Sequence, residues 1–126
     1  MQRLTVPSLR AALALVACIA LPAMADQSAR EQVINIAVTD GKVQGESVEQ
    51  SGGVPVIRVR QGRTVALRWT SDIAMTIHLH GYDIETHIPS DGEAVMHLAT
   101  RATGRFPIER HRKDGHVTLL YLEVRP

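Results

Sequence analysis

Residues 63–80 read Arg-Thr-Val-Ala-Leu-Arg-Trp-Thr-Ser-Asp-Ile-Ala-Met-Thr-Ile-His-Leu-His, and their alternation decides the fold class. In an extended chain successive side chains leave on opposite faces. Val65, Leu67 and Trp69 then share one face, while Ala66 and Arg68 take the other. After a Ser-Asp break, Ile73, Met75, Ile77 and Leu79 form a second apolar row, backed by Thr76, His78 and His80. A period of two with one apolar face is the mark of a half-buried strand.

The pattern extends in both directions. Stretches rich in Val, Ile, Leu and Thr predict strands over 33–38, 54–60, 64–70, 74–80, 83–88, 94–100, 104–110 and 117–125. Asp40-Gly41, Gly52-Gly53, Gln61-Gly62, Asp91-Gly92 and Asp114-Gly115 supply turns between them. Ala94, Met96 and Leu98, then Phe106 and Ile108, then Leu120, Leu122 and Val124 continue the apolar set. No stretch carries a helical period. The expected fold is all-β, an antiparallel Greek-key β-sandwich closed over these residues.

The first 25 residues follow a different logic. Arg3 and Arg10 precede an apolar run from Ala11 to Leu21, and Pro22 ends it just before Ala23-Met24-Ala25, a small-x-small cleavage signal. The run is about half of the roughly 20 residues that a bilayer-spanning helix needs, so no stable membrane span is expected. The division read from this is a signal peptide at 1–25, a flexible polar leader at 26–32 and one domain at 33–126. Leu15-Val16-Ala17-Cys18 also fits a lipoprotein box, which makes a lipid anchor at Cys18 the minor alternative.

Cleavage after Ala25 removes two of the 14 basic residues, Arg3 and Arg10, and leaves 12 against 13 acidic ones. A formal charge of −1 gives no reason to expect a nucleic-acid partner. The sole cysteine, Cys18, leaves with the signal. The remaining chain has no disulfide, thiolate ligand or cysteine nucleophile. Ser47, Ser51, Ser71 and Ser90 lie in turn-like surroundings without a nucleophile elbow, and the glycines open no phosphate-binding helix. The expectation is a protein that is not an enzyme.

What remains for chemistry is histidine. All 6 lie between positions 78 and 116. His78 and His80, two apart on one strand face, hold their Cα atoms roughly 6.6 Å apart, within reach of a common ion. The same pair would also suit a merely solvated face. His111 and His116 flank the turn before the last strand, and a sandwich gathers such turns at its ends. That turn is therefore expected beside the loop following His80, so that three or four imidazoles could meet there. His87 and His97 read as surface neighbours, and Met75 reads as core before it reads as a thioether ligand. Asp83, Glu109 or backbone carbonyls are expected to hold the imidazoles' second nitrogens.

From about Val33 to Pro126 the chain resembles the cupredoxins. The run from Val56 to Asp72 is similar to their strand, glycine corner and strand entry. His78-Leu79-His80-Gly81-Tyr82-Asp83 resembles a segment of periplasmic cupredoxin-like domains, of the plastocyanin-like kind and the kind attached to iron-uptake lipoproteins. Thr103 to Glu109 resembles the strand leading to the copper loop, and Leu119 to Val124 resembles the final strand. The resemblance implies a periplasmic protein with a copper ion as cofactor.

It also exposes a departure. A type 1 copper site needs a thiolate beside two imidazoles, and where the family places that cysteine this chain has Arg110 and His111; the upstream histidine position falls near Ala74 or Met75. The reading is copper, or another divalent transition metal, bound by His78, His80, His111 and His116 for metal handling without blue-copper electron transfer. A periplasmic partner protein is the other expected contact. The alternative is a metal-free interaction module, and a pH-responsive one is a third reading.

Overall fold

In a computed structural model the described residues are 30–126, so the signal peptide, Cys18 and most of the leader lie outside them. The described residues form ten strands and no helix: β1 (Gln32–Thr39), β2 (Lys42–Gln44), β3 (Glu49–Ser51), β4 (Val54–Arg60), β5 (Thr64–Ser71), β6 (Met75–Leu79), β7 (Ile84–Ile88), β8 (Glu93–Ala99), β9 (Gly104–Arg112) and β10 (Gly115–Arg125). Two sheets, ordered β2-β1-β5-β8 and β3-β4-β10-β9-β6-β7, pack face to face. Among the described residues no helix is long and apolar enough to cross a membrane.

The predicted alternation holds. Val65, Leu67 and Trp69 are fully buried, as are Ile77, Leu79, Ile108, Leu120 and Leu122. β6 alternates buried Met75, Ile77 and Leu79 with half-buried Thr76 and His78. Ile73 departs from the expected row: it lies in the loop before β6, half exposed. Two short strands, β2 and β3, go beyond the expectation, because three-residue segments do not establish a period. The leader also ends earlier than expected, since Gln32 already pairs with Val65.

The sheets are mixed and not purely antiparallel: β1 runs parallel to β5, and β4 parallel to β10. Parallel neighbours arise because β4 and β5, consecutive in sequence, belong to different sheets. The chain turns from one sheet to the other at Gln61-Gly62, where Gly62 takes φ 79°. Thr100, 1 % exposed, ties this corner. Its hydroxyl donates to the Arg60 carbonyl at 2.7 Å and accepts from the Arg63 N–H at 2.8 Å, while the Gly62 N–H donates to the Thr100 carbonyl at 2.8 Å.

β9 and β10 form a hairpin with a slip. Thr118 pairs with Glu109 but Leu120 pairs with Ile108, so Leu119 is an extra residue on β10. A bulge of this kind shifts the alternation by one. Leu120, Leu122 and Val124 point inward above it, whereas His116 and Thr118, of the same parity, point outward below it with His111 and Glu109. Leu119 itself is buried at 6 %.

Two outcomes follow from the fold. Thr100→Val removes the hydroxyl that bridges the Arg60 carbonyl and the Arg63 N–H at this part-buried corner and is expected to lower stability by about 1–3 kcal/mol, read as a lower urea midpoint at unchanged slope. Glu123 on β10 is held below its ordinary carboxylate range by a hydrogen bond from Arg125 and the charges of Arg125 and Arg58. It therefore stabilises the fold at neutral pH, and that contribution disappears as pH falls through its lowered value. Glu123→Gln should flatten the acid side of the stability profile.

Candidate metal centre

Register builds the site before any loop does. β6 pairs antiparallel with both β7 and β9: His78 stands opposite Glu85 on one side and Glu109 on the other. One pleat further, His87 stands opposite Thr76, and His111 stands opposite His116. Directly paired residues share a face. The outer face of the larger sheet therefore carries His78, His87, His111 and His116 with Glu85, Glu109, Thr76 and Thr118, and His80 extends the same side just past the end of β6.

The four predicted histidines meet edge to edge in a chain. Ring centroids are 4.5 Å apart for His78 and His80, 6.1 Å for His78 and His111, and 4.8 Å for His111 and His116. They meet over a sheet face and not, as expected, between loops at one end. The antiparallel pairing of Ile77 with Arg110 puts the β9–β10 turn beside the start of β6, whereas the loop after His80 lies beyond its other end.

Carboxylates hold the second nitrogens. His78 Nε2 lies 3.0 Å from Asp83 Oδ1, and His80 Nε2 lies 2.9 Å from Glu109 Oε2. That second approach is off the hydrogen-bonding axis, so His80 Nε2 is shielded from solvent without a hydrogen-bond partner. Glu109 Oε1 accepts from the Thr118 hydroxyl at 3.2 Å. Glu85, on β7, comes within 4.0 Å of His111 Nδ1. Nothing in the linear sequence signals that contact, because it crosses from β7 over β6 to β9. With Asp83 on its Nε2, His78 leaves Nδ1 for a further ligand.

Asp83 reaches back because the β6–β7 turn is tightly wound. Gly81 takes φ 82° and Asp83 φ 55°, a left-handed conformation that a short polar side chain tolerates. A Cβ at Gly81 would stand 2.4 Å from Phe106 Cδ1. The Phe106 ring meets Tyr82 edge-to-face at 4.9 Å, and the Tyr82 hydroxyl donates to the Ala102 carbonyl at 2.8 Å.

The other two histidines behave as read: His87 Nδ1 lies 3.3 Å from the Thr76 hydroxyl, and His97, on the opposite sheet, pairs with Glu31 at 2.8 Å. Met75 is core, 5 % exposed. Among the described residues, no three His, Cys, Asp or Glu side chains converge as they stand on one point that could hold an ion. The donors are adjacent but not closed around a centre.

No known protein family pattern matches this chain, and no curated protein does. Solved structures do. A heme-copper terminal oxidase chain superposes with a TM-score of 0.58 at 16 % identity over 76 % of this chain. The match spans 65 % of that oxidase chain. A copper-binding protein solved in its apo form superposes with a TM-score of 0.57 at 14 % identity, over 75 % of this chain and 88 % of its own. The fold is cupredoxin-like.

A type 1 copper site does not fit this cupredoxin-like chain. The described residues contain no cysteine, and Arg110 and His111 stand where the resemblance places one. Arg110 pairs with buried Ile77, so its side chain faces the interior end of the sandwich, and its Nε is shielded without a hydrogen-bond partner. A guanidinium is a fixed cation with no lone pair for a metal. The imidazoles of the outer face, in contrast, are donors suited to a transition ion.

Gly81→Ala should lower stability by on the order of 2–4 kcal/mol, from left-handed strain together with displacement of Phe106. Gly81→Asn tests which matters: Asn tolerates the backbone but keeps the Cβ, so a comparable loss of thermal midpoint is expected.

Proposed function

We propose that this chain is an exported, periplasmic, non-catalytic cupredoxin-like protein that binds copper through the imidazoles of its outer sheet face, for holding or delivering the ion. The observation that carries the reading is the run of neighbouring rings His80, His78, His111 and His116, on β6 and the turn after it, β9 and β10, with acids beside three of them. Imidazole suits copper, zinc and nickel, and copper binds most tightly in the divalent series. The fold neighbours include a protein described as copper-binding.

Two roles do not suit the face. Electron transfer of the blue-copper kind requires a thiolate that this domain does not possess. Hydrolytic chemistry needs a substrate cleft, and these side chains lie across an open sheet surface.

The test is a Cu(II) titration followed by electron paramagnetic resonance. The bound signal should show hyperfine splitting from nitrogen, and His78→Ala, at the middle of the chain of rings, should lower affinity at least about tenfold. Copper binding unchanged by that substitution, or lacking nitrogen splitting, would overturn the reading and leave the face as an interaction surface braced by His–carboxylate pairs.

A further inference from the structure

The four imidazoles are too far apart end to end to close on one ion. His80 bonds through its backbone to Pro107, and His111 pairs with His116. From the row of His80 to the row of His116 is four residues along the strands and two strands across, about 16 Å between Cα atoms. An imidazole and its metal bond extend only about 6.5 Å from Cα. Two such reaches fall short of that span.

Pairwise spacing tells a different story. A metal bonded at about 2.0 Å sits roughly 3.2 Å from the ring centre, so two rings on one ion at about 90–100° have centroids about 4.5–4.9 Å apart. The observed 4.5 Å for His78 and His80 and 4.8 Å for His111 and His116 match that spacing, while the 6.1 Å between His78 and His111 does not. The outer acids are also divided: Asp83 and Glu109 serve the first pair, Glu85 the second.

Resting on the copper reading above, we propose that the face is two stations, each of two imidazoles, and takes two copper ions, one at His78/His80 and one at His111/His116. Water completes each shell, because the neighbouring acids lie beside other ring nitrogens. The open coordination suits exchange of the ion with a receiving protein more than permanent retention, because a site closed by protein ligands has no position for an incoming one.

Native mass spectrometry of the full chain in its processed form, titrated with Cu(II) alone, separates the outcomes. The protein should saturate at two ions. His80→Gln and His116→Gln should each saturate at one, the double variant should bind none at the same free copper, and His97→Gln on the opposite sheet should keep two. An unchanged thermal midpoint in each variant shows that the fold is retained. Saturation at one ion, lost equally in His80→Gln and His116→Gln, would overturn the two-station arrangement while leaving copper binding in place. Absence of any bound ion in the unsubstituted chain would overturn the copper reading itself.

Discussion

The slip between β9 and β10 at Leu119 governs both halves of the molecule. Leu120, Leu122 and Val124 must face inward to fill the core, and a regular strand would then send Thr118 and His116 inward as well. The extra residue reverses the alternation at that point. Glu109 thereby gains Thr118 as a cross-strand neighbour, and His111 gains His116. Without it the imidazoles of β9 and β10 would lie on opposite sides of the sheet, and the chain of four rings would stop at His111.

The same register argument separates this domain from the copper site its fold suggests. At one end of the sandwich, half-buried Arg110 occupies the inward position opposite Ile77, so a fixed cation stands close to where a soft anionic ligand would be required. Metal-binding potential lies instead on the solvent side of the sheet, at His111 and the imidazoles paired beside it. A face exposed to water favours ligands that exchange; a buried pole favours a fixed geometry. That contrast is the physical ground for reading the chain as a handler of ions and not as an electron carrier.

Much of this was legible before any coordinates. The alternation at Val65, Leu67 and Trp69 and at Met75, Ile77 and Leu79 is local, and it correctly assigned both the core and the outward face of His78 and His80. Asp83 and Glu109 were readable as partners for the imidazoles. What escaped was everything that depends on long-range pairing. The parallel β1–β5 and β4–β10 pairs arise from where the chain changes sheets, which no local period encodes. Ile73 breaks its row because the strand starts only at Met75. The bulge at Leu119 is one residue in a run of apolar ones, invisible until its partner strand is known. For that reason the histidines were expected to meet between loops, whereas they meet across a sheet.

The most direct test of the central claim, that this sheet face is where metal binds, is nuclear magnetic resonance with substoichiometric Cu(II), whose unpaired electron broadens nearby amide signals. The account predicts selective loss of signals from residues 76–80, 85–87, 109–111 and 116–118, with β1, β5 and β8 untouched. Broadening centred on His97 and Glu31, or spread evenly over the surface, would contradict it.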